Sequence, residues 1–243
     1  MIPDGNPLLL ILLIIFGICF LVQAFYYFYF FLTPALFRPP KPSAKQEPVS
    51  VIICARNEEE NLRDFLPAVL EQEYPDFEVV VVNDCSEDGT DNVLAGFLEL
   101  YPRLRVSSIN KDPKFTHNKK FAQFIGIKAA KNELLLFTDA DCKPESSKWI
   151  EKMVSRFEEK TGFVLGYGGY FTKKGLLNSY IRYDSMTIAV QYLGMALRGM
   201  PYMGVGRNLA YRKSIFFDKK GFGPYSHLAS GDDDLFVLSL IHI

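Results

Sequence analysis

The amino-acid sequence has no marked excess of charge of either sign. Its 27 lysines and arginines stand against 28 aspartates and glutamates, which gives a formal net charge of −1 over 243 residues. A protein that binds nucleic acid would normally show a basic face, and the basic pairs of this sequence, such as Lys119-Lys120, are offset by acidic runs such as 58–60. We therefore expect no nucleic-acid partner.

Cysteine is also scarce. The four cysteines, Cys19, Cys54, Cys85 and Cys142, form no C-x-x-C pair, and their spacing matches no zinc site. We therefore interpret the four thiols as small, reduced side chains in a reducing compartment.

The glycine-rich loops of several nucleotide-binding enzymes are missing as well. A nicotinamide-dependent oxidoreductase would carry G-x-G-x-x-G after its first strand, whereas the first β-branched run of this chain leads into Ala55-Arg56-Asn57. The glycine-rich, basic first loop of a sugar nucleotidyltransferase is absent from the same position. Phosphatases with a D-x-D motif usually carry it after the first strand, and here Asp139-Ala140-Asp141 follows the fourth. These absences argue against all three classes.

The N-terminal part of the chain is, in contrast, strongly apolar. No charged residue occurs from Leu8 to Leu32, and about 20 apolar residues suffice to cross a bilayer as a helix. The run ends in seven consecutive aromatic residues, 25–31, as is typical of a membrane interface. A cleaved signal peptide would have a basic region before a shorter apolar core, but only Asp4 precedes this run. We predict a transmembrane anchor over residues 1–34.

The segment after the anchor indicates its orientation. Arg38, Lys41 and Lys45 follow the apolar run, and no lysine or arginine precedes it. The positive-inside rule then predicts that the rest of the chain lies on the cytoplasmic side of the cell (inner) membrane. Residues 35–48 are rich in proline and are predicted to form a linker, so that the catalytic domain would span residues 49–243.

Beyond the linker, apolar β-branched runs alternate with helical patterns. The predicted strands are Val49–Cys54, Glu78–Val82, Arg105–Ile109 and Leu134–Thr138, and the predicted helices are Asn57–Gln72, Thr90–Leu100 and Lys119–Lys131. Such alternation predicts an α/β fold with a mainly parallel sheet flanked by helices. Ligands of such sheets gather at the carboxyl ends of the strands.

Polar residues follow several of these strands. Ala55-Arg56-Asn57-Glu58 follows the first, Asn83-Asp84 the second, and Asp139-Ala140-Asp141 the fourth, while Lys119-Lys120 opens the helix before the fourth. Two carboxylates two residues apart on an extended segment project in the same direction and can share one cation. Such oxygen ligands suit Mg²⁺ or Mn²⁺, which commonly hold substrate phosphates. The sequence thus predicts a metal and phosphate site, although a set of turn and cap residues is the alternative.

Five motifs together resemble the family 2 inverting glycosyltransferases of the membrane-anchored, bacterial type. They are the segment 49–58, Asn83-Asp84, the D-x-D motif, the segment 206–212 and the segment 231–235. The resemblance implies a GT-A fold, a nucleotide-diphosphate sugar donor, with a UDP-sugar favoured, and a metal-dependent transfer of the hexosyltransferase type. The acceptor would be a hydroxyl group, lipid-linked or on a polysaccharide, at the lipid bilayer.

The resemblance also implies roles for individual residues. Ala55, Arg56, Asn57, Glu58 and Asp84 would hold the base and ribose of the donor. Lys119 would approach the diphosphate, with Asn118 in place of the family's glycine. Asp139 would lie near the ribose and metal, and Asp141 would coordinate the metal. Gly206, Arg207 and Asn208 would line the acceptor side.

Three expectations have open alternatives. Asp232 matches the family's general base, with Asp233 as the second candidate because three aspartates in a row leave the register open; an acidic helix cap is the structural alternative. The apolar segment 176–200 would either lie at the membrane interface or pack on the sheet. The apolar tail and the lack of later family motifs suggest a C-terminally truncated chain, so a non-catalytic, membrane-tethered nucleotide-sugar-binding subunit or inactive fragment is the alternative function.

Overall fold

The computed structural model describes residues 7–38, 46–110, 118–223, 228 and 233–241. The strands are β1 (Val49–Ala55), β2 (Phe77–Asp84), β3 (Leu104–Ile109), β4 (Leu134–Asp139), β5 (Phe163–Leu165) and β6 (Leu209–Arg212). The helices are α1 (Pro7–Tyr26), α2 (Leu32–Leu36), α3 (Glu59–Leu70), α4 (Thr90–Leu100), α5 (Lys119–Ala129), α6 (Trp149–Val154), α7 (Leu176–Leu197), α8 (Lys213–Asp218) and α9 (Asp234–Ile241).

These elements fall into two compact units. The larger unit comprises residues 40–168 and 203–243 and holds the sheet, while the smaller comprises residues 1–39 and 169–202. The smaller unit therefore contains α1, α2 and α7, and all of the strands belong to the larger unit.

The sheet of the larger unit has the strand order β3-β2-β1-β4-β6-β5. The four strands from β3 to β4 are parallel, and β6 then runs antiparallel to both β4 and β5. The predicted α/β fold with a mainly parallel sheet is thus confirmed. The two short strands β5 and β6 extend the sheet beyond the four that the sequence pattern predicts.

The sheet is covered by helices on both faces because its central strands are apolar on both sides. In β1, Val51 and Ile53 belong to one core cluster with residues of α3, α4 and α6, whereas Ile52, between them, belongs to another with residues of α5, α8 and α9. β2 is buried along its whole length. Near-continuous apolar strands of this kind are typical of parallel sheets with helices on both faces.

The boundaries of the predicted elements shift for local reasons. The first helix of the sheet domain begins at Glu59 and not at Asn57, because Asn57 has a positive φ of 56° that a helix does not allow. α5 ends at Ala129 because Ala130 is extended. β2 continues to Asp84 and β4 to Asp139, so both aspartates are strand residues and do not lie in the loops that follow.

The smaller unit begins with one continuous apolar helix. Residues Pro7–Leu36, which include a π-helical turn at Tyr27–Phe31, contain an 18-residue stretch with a mean hydropathy of 3.0 and are long and apolar enough to cross a membrane. α7 packs on the π-helical turn at Gly194, where a Cβ atom would lie 2.2 Å from the carbonyl oxygen of Phe30. Arg198 donates its Nε–H to Tyr29 O (3.1 Å) and Thr33 Oγ1 (2.9 Å), so it holds the C-terminal end of α7 to this turn.

Candidate active site

The order of the strands creates a crevice at one edge of the sheet. The chain runs from β1 through β2 to β3 on one side and then returns to β4 on the other side of β1. The carboxyl ends of β1 and β4 are therefore adjacent, with Cys54 beside Asp139 and Ala55 beside Asn83 of β2. Such a reversal of strand order is where open α/β sheets bind their ligands.

A cleft of about 330 Å³ lies at this reversal. Its lining includes seven residues that the sequence predicts for donor or metal binding: Ala55, Arg56, Glu58, Asp84, Lys119, Asp139 and Asp141. Asn118, which precedes Lys119, also lines the cleft. Cys54, Ala122 and Ala140 complete the lining. The structure thus brings together polar side chains that are up to 85 positions apart in the chain, with Arg56 and Asp141 as the extremes.

The loop after β1 is fixed by the loop after β2. Asn57 donates its backbone N–H to Ser86 Oγ (2.9 Å), and its side-chain Oδ1 accepts the N–H of Glu87 (2.7 Å). Because the side chain of Asn57 is engaged between the loops, it holds the backbone while its neighbours Arg56 and Glu58 line the cleft. Among the predicted donor-binding residues, Asn57 is the one that is not part of the cleft lining.

α5 presents its N-terminus to the cleft. The side-chain oxygen of Asn118 accepts the N–H of Phe121 (3.0 Å) and so caps the helix, at the position where the resembling family has glycine. Lys119, the first helical residue, donates from Nζ to Asp139 Oδ1 at 2.9 Å. The helix N-terminus and the ammonium group together give this wall of the cleft a positive potential that suits a phosphate group.

Asp139 and Asp141 meet at a turn. β4 ends at Asp139, and Cys142 donates its N–H back to Asp139 O (3.1 Å), so Asp141 is not on the extended segment that the spacing suggested. The turn nevertheless brings ligand atoms of Asp139, Asp141 and Cys142 within 4.8 Å of one another. Burial, reinforced by the carboxylates of Asp141 and Asp139, raises the pKa of the Cys142 thiol to about 12.

Two carboxylates at this separation fit a hard divalent cation. Mg²⁺ and Mn²⁺ take oxygen ligands and commonly bind through one or two carboxylates plus substrate phosphates. Asp141 is exposed and Asp139 half-buried, so both are accessible from the cleft. The residues present at this turn therefore fit the predicted divalent cation.

The segment 206–208 forms a 3-10 turn that leads into β6. The side chain of Asn208 bridges two elements, because its Oδ1 accepts the indole N–H of Trp149 (3.0 Å) and its Nδ2 donates to Tyr167 O (2.9 Å). Arg207 lies against Gly168, where a Cβ atom would meet the arginine Cγ and Cδ at 2.7 Å. The side chain of Asn208 thus links α6 to the segment that follows β5, a role that its position in the motif alone does not indicate.

The second candidate base, Asp233, is bound to that same turn. Its Oδ2 accepts the backbone N–H of Gly206 (2.8 Å), and Gln123 Nε2 lies 3.5 Å from its Oδ1. A Cβ atom at position 206 would lie 2.2 Å from Asp233 Oδ2, so this close approach requires glycine. The first candidate, Asp232, lies outside the described residues.

A second lysine at the start of α5 lies away from the cleft. Lys120 is 4% exposed and donates from Nζ to the backbone carbonyl of Leu228 at 3.0 Å. Its neighbour Lys119 is exposed and faces Asp139. Successive helix positions point about 100° apart, but the pair Lys119-Lys120 carries no sign of which lysine faces the ligand.

Comparison with known proteins relates this site to one family. Residues 50–217 match the model described as Glycosyl transferase family 2. Glycosyltransferase AglE of Haloferax volcanii is 32% identical over 188 residues, which cover 76% of this chain and 58% of AglE. The chain thus spans little more than half the length of this curated relative.

Solved structures show the same fold. The mannosyltransferase PcManGT from Pyrobaculum calidifontis, in complex with GDP-Man and Mn²⁺, aligns with a TM-score of 0.64 at 20% identity, over 87% of this chain and 56% of that protein. TarS residues 1–349 of S. aureus, in complex with UDP-GlcNAc, align with a TM-score of 0.53 at 21% identity, over 79% and 52%. At these identities the likeness concerns the fold alone.

Proposed function

Because the chain belongs to glycosyl transferase family 2, we propose that it transfers a sugar from a nucleotide-diphosphate sugar to a hydroxyl acceptor. A UDP-sugar is the favoured donor, and the transfer proceeds with inversion at the anomeric carbon. The reaction takes place at the cytoplasmic face of the membrane.

The observation that carries this proposal is the composition of the cleft. It combines a cationic wall, formed by Lys119 and the N-terminus of α5, with the carboxylates of Asp139 and Asp141. A nucleotide diphosphate bridged to a divalent cation has the complementary charges. Glu58 and Asp84 line the same cleft and can accept hydrogen bonds from the ribose and base. The bound GDP-Man and UDP-GlcNAc of the two structural neighbours agree with a donor of this class.

Asp139 and Asp141 would hold the divalent cation, which supplies charge stabilisation for the departing diphosphate. Lys119 would also stabilise the negative charge of the departing diphosphate, because its ammonium group lies next to Asp139 on the wall of the cleft. Electrostatic stabilisation of growing charge by groups that are already in position is usually the largest catalytic term. Arg56 adds a second cationic side chain to the cleft lining.

The general base of the proposed reaction is Asp232. It removes the proton of the acceptor hydroxyl as the oxygen attacks the anomeric carbon, a contribution of roughly 10²–10⁴-fold. Asp233 is the less suitable of the two aspartates because its Oδ2 already accepts the Gly206 N–H. A carboxylate oxygen that holds a backbone amide positions its segment, which leaves proton transfer to the neighbouring residue.

The smaller unit supplies the proposed membrane contact. Its N-terminal helix has the length and hydropathy of a span, and α7 exposes large apolar side chains in its first half, with Leu176 at 91% and Tyr180 at 65%. We assign this exposed surface to contact with lipid, which would bring a lipid-linked acceptor to the protein. Proteolytic footprinting of α7 with and without liposomes tests this part, and unchanged protection would contradict it.

The donor proposal is tested on the full chain in nanodiscs. A thermal-shift panel of UDP- and GDP-sugars, with Mn²⁺ or with chelator, should identify a donor whose stabilising effect requires the cation. Asp141→Asn should remove that cation dependence, while Asp64→Asn, on the exposed side of α3, serves as the matched control. No shift with any nucleotide sugar would refute the proposal.

Turnover is measured separately from binding. Release of nucleoside diphosphate from the selected donor indicates transfer to water or to an acceptor, and NMR of the sugar product gives its anomeric configuration. An inverted anomer supports the single-displacement mechanism, whereas a retained one contradicts it. Donor binding without any turnover would instead indicate a non-catalytic nucleotide-sugar-binding subunit.

A further inference from the structure

The lysine at the start of α5 is paired with one of the proposed ligands of the cation. Lys119 Nζ donates to Asp139 Oδ1 at 2.9 Å, and both residues line the cleft. The turn after β4 also brings a carboxylate oxygen of Asp141 within 4.8 Å of a carboxylate oxygen of Asp139. A positive charge of the chain itself therefore lies beside the carboxylates that would bind a divalent cation.

This ammonium group should oppose a cation that binds Asp139 in the absence of donor. A carboxylate accepts through two oxygens, so Asp139 could hold both groups only with two positive charges on one side chain. Nζ lies 2.9 Å from Oδ1, far inside the screening length of about 10 Å at 0.1 M salt. The side chains of Lys119 and Asp139 are 45% and 35% exposed, so water weakens this repulsion without removing it.

A nucleoside diphosphate in the same cleft would change the balance between these charges. Its phosphate oxygens can accept hydrogen bonds from an ammonium group and can bind Mg²⁺ or Mn²⁺ at the same time. Lys119 is the first residue of α5, whose N-terminal N–H groups also favour a phosphate. The flexible four-carbon stem of lysine allows Nζ to exchange Asp139 for a phosphate oxygen while the backbone of the helix stays in place.

We propose that Lys119 couples the binding of the cation to the binding of the donor. Without donor, Lys119 pairs with Asp139 and weakens cation binding; with the diphosphate bound, it pairs with a phosphate and leaves Asp139 to the cation. This inference rests on the proposed function, which supplies both the cation and the donor. By thermodynamic linkage, the donor raises the affinity for the cation by the same factor as the cation raises the affinity for the donor. Lys119 thus favours the cation in the donor-loaded cleft over the cation in the empty one.

The test measures binding and not turnover. It uses the full chain in nanodiscs of phosphatidylcholine, whose headgroups carry no net charge. Electron paramagnetic resonance of free Mn²⁺ gives the Mn²⁺ Kd of the protein alone. Calorimetry gives the Kd of UDP with and without Mn²⁺, corrected for the Mn²⁺–UDP complex in solution; GDP replaces UDP if the donor panel selects a GDP-sugar. Lys119→Met is compared with the wild type, and Asp141→Asn should lose the bound Mn²⁺, which assigns that ion to this turn.

Two further variants separate the charge of Lys119 from other effects of the substitution. Lys119→Arg keeps a positive charge at this position and should keep the Mn²⁺ Kd of the wild type within about 3-fold. Lys128→Met removes a positive charge from an exposed position of the same helix, about 13 Å farther along its axis. It should match the wild type in the binding of both Mn²⁺ and UDP.

Lys119→Met should bind Mn²⁺ alone roughly 5- to 30-fold more tightly than the wild type, as expected when a positive charge a few Å from the site is removed. The factor by which Mn²⁺ strengthens UDP binding should fall about 3-fold or more, because UDP no longer relieves a repulsion. About 1 M salt shortens the screening length to about 3 Å and should shrink the difference in Mn²⁺ Kd. Loss of a merely structural contact would instead weaken Mn²⁺ binding, because Asp139 would be held less firmly.

An Mn²⁺ Kd that is unchanged or higher in Lys119→Met would overturn the proposal, as would unchanged coupling between Mn²⁺ and UDP or a difference in Mn²⁺ Kd that salt does not reduce. Equal tightening in Lys128→Met would also overturn it, because the net charge of the protein would then be the cause. If Lys119→Met does not fold, Lys119→Gln, which is polar and uncharged, takes its place under the same criteria.

Failure of the proposed function gives a different result. A wild type that binds neither Mn²⁺ nor any nucleoside diphosphate would refute the proposed metal and donor site, as would Mn²⁺ binding that survives in Asp141→Asn. A wild type that binds both ligands at this turn, together with a Lys119→Met protein that gains no affinity for Mn²⁺, would refute the coupling alone.

Discussion

Replacing Gly206 with alanine changes a single contact between the 3-10 turn and Asp233. The added Cβ would lie 2.2 Å from Asp233 Oδ2, 2.5 Å from Oδ1 and 2.6 Å from Cγ. A tolerable carbon–oxygen contact is about 3.3 Å, so the carboxylate and the turn must separate by about 1 Å. The N–H···O bond between Gly206 and Asp233, now 2.8 Å, would lengthen beyond the limit of a hydrogen bond.

This separation determines how much the substitution should lower the folding stability and how much it should lower kcat. Loss of a hydrogen bond to a carboxylate costs about 1–3 kcal/mol of folding free energy, and half-buried Asp233 recovers part of that from water. If Asp232 is the base, as proposed, its displacement by about 1 Å should lower kcat roughly 100-fold. Donor affinity should stay within about 2-fold because Gly206 is not part of the cleft lining.

The assay pairs donor hydrolysis with thermal unfolding of the full chain. Gly96→Ala is the matched control, since a Cβ there meets nothing within 4 Å and alanine inside a helix is favoured over glycine by roughly 0.5–1 kcal/mol. That control should have the wild-type kcat and a slightly higher unfolding temperature. A Gly206→Ala protein with the wild-type kcat and unfolding temperature would refute the reasoning, because the turn would then not hold Asp233.

Two further predictions concern the aspartates and the sheet. Asp233→Asn keeps an oxygen that can accept the Gly206 N–H and should retain most of the donor turnover, whereas Asp232→Asn should lower kcat by roughly 10²–10⁴-fold; the reverse order would exchange their roles. Burial alone would raise the pKa of Glu78, but hydrogen bonds from Ser50 Oγ (2.6 Å), Lys131 N–H (2.6 Å) and Arg105 hold that pKa below its usual range. Its stabilising contribution is therefore complete above the unfolded pKa of about 4.3 and is lost as pH falls through the lower folded pKa. Denaturation curves between pH 7 and pH 3 should show Glu78→Gln less stable than the wild type at pH 7, with the gap closing in acid; a pH-independent gap would contradict this account.

The four parallel strands of the sheet could be predicted because each has a hydrophobic pattern within its own residues. β-branched runs such as 79–82 are apolar on both faces, and this pattern is typical of a buried parallel strand. The strands β5 and β6 have only three and four residues, too few for a periodic pattern to emerge. Their pairing with β4 depends on contacts that are distant in the chain.

Part of the candidate site could likewise be predicted from the sequence. The positions of Asp84 and Asp139 follow from strand order, because carboxyl ends of parallel strands share one edge of the sheet. Lys119 follows because it begins the helix that precedes β4. The role of Asn57 as a bridge between loops does not follow, since it depends on where the loop after β2 passes. Nor does the division between Lys119 and Lys120, because only packing of α5 decides which lysine is buried.

The contacts of Gly194 and Arg198 with the N-terminal helix affect the order in which this protein can assemble. Tyr29 and Thr33 belong to the first segment of the chain, yet Arg198, which binds both, comes after the whole of residues 40–168. Contacts between such distant parts of a chain form slowly because a long loop must close first. The helix of residues Pro7–Leu36 must therefore wait for α7 to be synthesised before it gains these contacts, so mutations at Gly194 or Arg198 should impair maturation of the protein before they impair its chemistry.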